Sequence, residues 1–163
     1  MRPNKNHVNF VNVARLSPEK NHLVLIDAFA KLVKENSNCH LYILGTGPLD
    51  NDIKRKISEV GLKKHVHMLG YMENPSMFVY LCDCFILTSN YEGQGLVLLE
   101  AMIIGKPVIG TDVPGIHSVL ENSRGLLVNN SVEEIYQGMR EYIDGKISTT
   151  YFDYKSYNKE TLN

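Results

Sequence analysis

The feature that most constrains the fold is a regular alternation of short, continuously apolar runs with longer amphipathic ones. A strand that is apolar along its whole length is buried on both faces, which is typical of a parallel sheet. The alternation therefore predicts an α/β fold, a parallel sheet of about six strands with helices on both faces. The predicted strands are residues 9–16, 39–45, 65–70, 84–89, 107–112 and 125–129, and the predicted helices are residues 18–36, 49–60, 74–82, 96–105 and 131–144.

The length of 163 residues suits one compact domain. We assign residues 1–145 to that domain and the polar, Tyr-rich residues 146–163 to a C-terminal extension. The Pro-Gly pair at 114–115 is predicted to form a turn between two strands. The formal net charge of −1 gives no support for nucleic acid as a partner, so any basic site must be local.

The sequence gives no support for a membrane-spanning, secreted or metal-binding protein. No apolar run approaches the length that spans a bilayer, and the first residues lack the apolar core of a signal peptide. The three cysteines, Cys39, Cys82 and Cys84, are interpreted as reduced core thiols of a cytoplasmic protein. The acids of Asp50-Asn51-Asp52 suit the start of a helix, and no metal site is predicted.

Ligands of parallel α/β sheets bind at the carboxyl ends of the strands. That rule places four polar or glycine-rich segments on one rim of the predicted sheet. They are Arg15–Ser17, Gly45–Gly47, Gly70–Tyr71 and Ser89–Gly95.

Two cations flank the first turn after a strand. Ser17-Pro18 is predicted to begin a helix with Lys20 in its first turn, and Arg15 stands just before it. A lysine opposes the helix dipole there, unless a phosphate lies between its ammonium and the backbone amides. Two solvated surface cations are the alternative.

A glycine-punctuated loop, Glu92-Gly93-Gln94-Gly95-Leu96, precedes the helix of residues 96–105. Glycines let a backbone turn sharply and approach a ligand closely, and the first amides of the helix offer a second anion site. A plain flexible turn is the alternative. Within the helix, Glu100 interrupts an apolar run and is expected to need a partner. That partner is either a structural donor or a bound vicinal diol.

Four motifs in order resemble the C-terminal half of the family 4 retaining glycosyltransferases of the GT-B fold. The strongest is E-G-Q-G-L-V-L-L-E-A-M-I-I-G-K-P-V-I, which is similar to the family's E-x7-E motif. The others are V-A-R-L-S-P-E-K-N, L-G-T-G-P-L and H-V-H-M-L-G-Y. The resemblance covers roughly residues 9–145 and implies a Rossmann-like domain that is one half of a GT-B architecture.

The resemblance also implies roles for residues. Arg15 and Lys20 would bind the donor diphosphate and stabilise the leaving nucleotide, and Glu92 would contact the donor sugar. Those three are the catalytic residues that the resemblance implies. The resemblance also implies three sets of donor-binding residues. Glu100 would hold the ribose hydroxyls, and Gly70 and Tyr71 would lie beside the base. Sugar and phosphate would be held by the backbone of Gly93, Gln94, Gly95, Leu96 and Val97. Retaining enzymes of this family are thought to work by front-face displacement, without a covalent protein intermediate. The chain departs from the family at Ala14, usually Gly, and at Gln94, often aromatic.

The expected substrate is a nucleotide-diphosphate sugar, a UDP-sugar by family habit, with no cofactor and no metal. The expected process is synthesis of a bacterial surface polysaccharide or cell-wall polymer. The family's N-terminal, acceptor-binding domain is missing, so the chain alone is expected to bind donor and not turn over. Peripheral membrane association is expected of the full-length enzyme only. A receiver-like signalling module and a non-catalytic nucleotide-binding relative are the alternatives.

Overall fold

In the part of the chain that the structure describes, six parallel strands form a central sheet. The computed structural model describes residues 1–122 and 125–147. The strands are β1 (Val8–Val13), β2 (Cys39–Leu44), β3 (Val66–Gly70), β4 (Cys84–Leu87), β5 (Val108–Thr111) and β6 (Leu126–Val128). Their order in the sheet is β3-β2-β1-β4-β5-β6, and every neighbouring pair is parallel. The predicted Rossmann-like sheet is therefore confirmed, and its order reverses between β1 and β4.

Within those described residues, six α-helices cover the two faces of the sheet. They are α1 (His22–Glu35), α2 (Asp50–Glu59), α3 (Pro75–Leu81), α4 (Leu96–Ile103), α5 (Pro114–Leu120) and α6 (Val132–Ile143). Helices α1, α2 and α6 pack on one face, and α3, α4 and α5 pack on the other. Within residues 1–122 and 125–147, no helix combines the length and apolarity that crossing a membrane requires.

The four central strands, β1, β2, β4 and β5, are buried on both faces, as their continuous apolar runs predict, whereas the edge strands β3 and β6 are mostly half-buried. Successive side chains point to opposite faces of a strand. Phe10 of β1 and Ile86 of β4 pack beneath α1 and α6, whereas Val11 and Phe85 pack beneath α3 and α4. The sheet therefore separates two apolar cores, and its carboxyl edge carries the loops.

Two local predictions about secondary structure were wrong. Pro18–Lys20 forms a 3-10 turn, and α1 begins after Asn21, whose φ is 58°. Lys20 thus precedes the helix and does not lie in its first turn. Pro114-Gly115 opens α5 and is no simple turn. The bounds of residues 1–145 as a domain stay a prediction, and residues 148–163 of the extension, with Tyr151, Tyr154 and Tyr157, lie outside the described residues.

The cysteines are core residues, as the sequence predicts. Cys39, Cys82 and Cys84 are free thiols and are buried in the apolar layers. Burial raises the pKa of Cys39 to about 11 and that of Cys82 to about 12, and it raises the pKa of Cys84 further. All three are therefore neutral thiols at neutral pH, with little nucleophilic character.

Imidazoles are buried or half-buried at two places in the fold. His22, fully buried at the start of α1, lies 3.0 Å from the Asn12 side chain, and burial lowers its pKa to about 4. At the sheet's amino edge, His40 Nδ1 lies 3.0 Å from His67 Nε2, and His7 stacks on the His40 ring. Burial is also the main reason that the pKa of His40 falls to about 4 and that of His67 is lowered. The folded state therefore prefers these three imidazoles neutral.

Stability is expected to fall as the pH drops from about 6.5 toward 4. The unfolded chain binds protons to His22, His40 and His67 in that window while the folded protein does not, so acid favours unfolding. His22 alone accounts for about 3 kcal/mol. Urea unfolding at several pH values measures this loss. A profile that is flat from pH 7 to 4.5 would contradict the assignment.

Candidate functional site

A cavity of about 720 Å³ opens at the carboxyl edge of the sheet, where the strand order reverses. This edge is where the sequence predicts a ligand. Its walls come from the ends of β1, β2 and β4, from the segments after β3 and before α3, and from the loop before α4. The lining residues are Val13, Ala14, Arg15, Lys20, Leu44, Gly45, Thr46, Tyr71, Met72, Pro75, Leu87, Glu92, Gly93, Gln94, Gly95, Leu96 and Val97.

An ion pair crosses the cavity between the two halves of the sheet. Lys20 Nζ lies 2.6 Å from Glu92 Oε2, and the two side chains are 18% and 15% exposed. The Ser89 hydroxyl donates to the same carboxylate oxygen at 3.2 Å. Glu92 therefore holds the ammonium of Lys20 in the cavity wall, in a site from which most water is excluded.

The segment that carries Lys20 is fixed by backbone contacts to the loop after β4. The Asn90 amide donates to the Glu19 carbonyl at 2.8 Å, and the Thr88 hydroxyl donates to the Lys20 carbonyl at 3.4 Å. The left-handed Asn21 then redirects the chain into α1. Lys20 thus faces the cavity because the 3-10 turn is hydrogen-bonded to the loop after β4, and not because it opens a helix.

Arg15 supplies a second positive charge to the same cavity. It follows β1 directly, lines the cavity and is exposed. Within the described ranges, with their gap at 123–124, Arg15 forms no ion pair. Its guanidinium is thus available to an anion that enters from solvent.

The glycine loop leads into α4 as the sequence predicts. Gly95 is the residue before the helix and has a φ of 61°, a conformation that favours glycine. Gly93 does not share this left-handed conformation. Leu96 and Val97, the first residues of α4, line the cavity, so the amino end of an eight-residue helix faces the ligand space.

Glu100 lies on the exposed side of α4, one face of which is buried through Leu98, Ala101 and Met102. Its carboxylate is therefore exposed and needs no structural donor, which was one of the two partners that the sequence left open. Glu100 lines a small cleft between α3 and α4 that shares Val13, Pro75 and Val97 with the large cavity.

The segment after β3 forms another wall. Tyr71 lines the cavity with its side chain largely exposed. Gly70 does not line the cavity, but its carbonyl accepts a hydrogen bond from the Gly45 amide at 2.8 Å. Gly70 thus fixes the position of a neighbouring wall.

The structure accordingly brings all but two of the predicted site residues to one cavity. Arg15, Lys20, Glu92, Tyr71 and the segment 93–97 line it directly, while Glu100 lies in the adjoining cleft and Gly70 behind the wall. In the described part of the chain, no group of three or more His, Cys, Asp or Glu side chains could hold a metal ion. The wall residues Met72 and Pro75 were not predicted, since nothing in their type marks them as ligand contacts.

The chain is similar to a known protein family and to several of its members. The family described as Glycosyl transferases group 1 matches residues 2–159. The chain is 32% identical over 145 residues to the N-acetylgalactosamine-N,N'-diacetylbacillosaminyl-diphospho-undecaprenol 4-alpha-N-acetylgalactosaminyltransferase of Campylobacter jejuni, covering 86% of this chain and 39% of that protein. It is 31% identical over 149 residues to the UDP-Gal:alpha-D-GlcNAc-diphosphoundecaprenol alpha-1,3-galactosyltransferase of Escherichia coli, covering 88% and 38%.

A solved structure shows the same architecture. A variant of TarM from S. aureus, in complex with Fondaparinux, alpha-GlcNAc-glycerol and UDP, superposes with a TM-score of 0.76 at 27% identity, covering 100% of this chain and 36% of that one. The chain thus spans less than half the length of these three proteins.

Proposed function

Because the chain belongs to the group 1 glycosyltransferases, we propose that its cavity binds the nucleoside-diphosphate part of a sugar donor. One observation carries this proposal: Lys20, Arg15 and the amino end of α4 line a single cavity at the point where the strand order reverses. Two side-chain cations and a helix amino terminus together suit a group with two adjacent negative phosphates.

In the proposed complex the diphosphate lies between Lys20 and the first amides of α4. Lys20 is held by Glu92 in the ligand-free protein, so its ammonium is positioned before the donor arrives. Cleavage of the bond between sugar and phosphate leaves extra negative charge on the diphosphate. A preorganised cation such as Lys20, whose side chain is only 18% exposed, stabilises that charge, and such stabilisation is a large catalytic contribution in general.

The carboxylates would act on hydroxyl groups. Glu92 borders the same cavity and would accept hydrogen bonds from the donor sugar, while Glu100 in the adjoining cleft would accept them from the ribose. Exposure of Glu100 supports this role, because a carboxylate on the surface of an apolar helix needs no structural partner. The base would lie beside Tyr71.

Uridine is the proposed base and no metal or other cofactor is proposed. The support is that the E. coli relative is named for a UDP-sugar and the TarM complex contains UDP. Both curated relatives are named for sugar transfer to undecaprenol-linked acceptors, which supports a role in the synthesis of a bacterial surface polymer. A cytoplasmic location is part of the proposal. The acceptor site is proposed to lie in a part of the relatives that this chain does not span, so the chain alone should bind donor without transferring sugar.

Calorimetric titration with UDP tests the proposal, and Glu100→Ala tests the ribose contact. We expect UDP to bind the wild-type chain and the variant to bind it about 10- to 100-fold more weakly, since hydrogen bonds to a charged group contribute about 1.5–3 kcal/mol. The free energy of unfolding should stay within about 0.5 kcal/mol, because the side chain is exposed.

Glu59→Ala, at another exposed helical glutamate outside the cavity, is the matched control and should bind UDP like the wild type. Absence of binding by UDP, GDP and ADP to the wild-type chain would refute the proposed function. A large loss of stability in Glu100→Ala with unchanged affinity would instead make Glu100 a structural residue.

A further inference from the structure

The first turn of α5 packs against the backbone of the loop that carries Glu92. Gly115 is buried there, and a Cβ atom placed on it would lie 1.8 Å from the Glu92 carbonyl oxygen and 2.8 Å from that of Gly93. These neighbours are backbone atoms, which cannot rotate away as the end of a side chain can. The absence of a side chain at Gly115 is therefore a condition for the observed position of the loop.

The other end of the glycine loop, at Gly95, also lies close to α5. A Cβ atom on Gly95 would lie 3.0 Å from the Gly115 carbonyl oxygen and 3.0 Å from a methyl group of Val119. Both ends of the glycine loop, at Glu92 and at Gly95, thus rest on the same turn of α5.

A buried hydrogen bond fastens the start of the same loop to β5. The Thr111 hydroxyl donates to the Ser89 carbonyl at 2.6 Å, and both residues are fully buried. The Ser89 hydroxyl in turn donates to the carboxylate of Glu92. Thr111 and Gly115 therefore hold the loop from the end of β5 and from the beginning of α5.

We propose that Gly115 is a positioning residue for the donor site, with Thr111 as its second support. The inference rests on the proposed function of the cavity. Neither residue lines the cavity; each acts through the backbone that sets where the Glu92 carboxylate meets Lys20.

The distances around Gly115 give the size of the displacement that an added methyl group requires. An ordinary Cβ lies at least 3.0 Å from its neighbours, so Gly115→Ala must separate α5 from the Glu92 carbonyl by more than 1 Å. Hydrogen bonds tolerate a range of only about 0.5 Å in length. Where the loop takes up this shift, the 2.6 Å contact between Lys20 and Glu92 is disturbed.

The experiment compares UDP affinity in Gly115→Ala with that in Gly138→Ala. Gly138 of α6 is also buried in a helix, but a Cβ there meets a methyl of Val128 at 2.8 Å on the opposite face of the sheet. We expect Gly115→Ala to raise the Kd at least 10-fold and Gly138→Ala to leave it within twofold, even where both lower the melting temperature equally. Equal affinity of Gly115→Ala and wild type would overturn the proposal.

A second pair of variants serves if Gly115→Ala does not fold. Thr111→Val keeps the shape of the side chain but removes its hydroxyl, and Thr111→Ser restores the hydroxyl. We expect the valine variant to raise the Kd about threefold to tenfold, from loss of one hydrogen bond, and the serine variant to recover wild-type affinity. Equal affinity of both would contradict the role of the loop support.

Amide chemical shifts of the ligand-free protein separate this proposal from the proposed function. Shifts in Gly115→Ala that are concentrated in residues 89–96 and at Lys20 support the positioning role even if UDP fails to bind the wild type. Shifts confined to α5 itself would refute it, whatever the result of the UDP titration.

Discussion

Replacing Lys20 with methionine is expected to weaken UDP binding about 100-fold. The change removes a cation proposed to contact the diphosphate, and a charge-assisted hydrogen bond of this kind contributes about 1.5–3 kcal/mol. It also leaves the carboxylate of Glu92, only 15% exposed, without its partner and facing the incoming phosphates. Calorimetric measurement of the Kd at constant ionic strength provides the number.

Two further variants make the test specific. Lys56→Met removes a lysine whose Nζ lies 2.8 Å from Asp27 Oδ1 outside the cavity, and it should leave the Kd unchanged. The double variant Lys20→Met with Glu92→Gln should recover part of the loss, because it also removes the unpaired negative charge. A loss of less than threefold in Lys20→Met would show that the diphosphate does not contact this side chain.

Gly45→Ala is expected to destabilise the domain by more than about 3 kcal/mol. Gly45 directly follows β2 with a φ of 137°, and a Cβ there would lie 1.9 Å from the Ala14 carbonyl oxygen. The substitution therefore combines backbone strain with a collision at the junction of β1 and β2, and it also disturbs two walls of the cavity. Urea unfolding monitored by circular dichroism gives the difference in free energy.

Gly61→Ala separates strain from collision. Gly61 also has a positive φ, of 73°, but no atom lies within 4 Å of the position that a Cβ would take. We expect this variant to cost only about 1–2 kcal/mol. Equal losses in the two variants would mean that the close approach to Ala14 contributes nothing.

The strands and the ligand edge were predictable because burial leaves a direct mark on the sequence. A run such as Cys84–Leu87 is apolar at every position only because helices cover both faces of the sheet. Parallel strands then place all their carboxyl ends at one edge. Arg15 and Glu92, 77 positions apart in the sequence, therefore fall beside one cavity by topology alone.

Helix α5 was not predictable in the same way. It has only seven residues and begins with Pro114-Gly115, which by local preference favours a turn. Its stability comes from tertiary burial of Ile116, Val119 and Leu120, and that burial is not visible in so short a pattern. The most restrictive contact of the glycine loop was missed for this reason.

The exposure of Glu100 could not be predicted from the sequence for a different reason. Helix α4 is apolar on almost every side, with Leu96 and Ile103 each more than half exposed, so its composition does not indicate which face is buried. A charged residue in such a helix looks costly until the structure shows it on the solvent side. Sequence periodicity locates a helix, but it defines an orientation only when the two faces differ in polarity.

The reversal of strand order implies that a bound ligand would connect the two halves of the sheet. β1, β2 and β3 come from residues up to Gly70 and β4, β5 and β6 from residues after Asp83, and among the described strands the two sets pair only between β1 and β4. Lys20 belongs to the first set and Glu92 to the second. A diphosphate bound to both residues would link the two sets of strands reversibly across the β1–β4 pair. Its binding would therefore stabilise the whole domain against cooperative unfolding, and not only one loop.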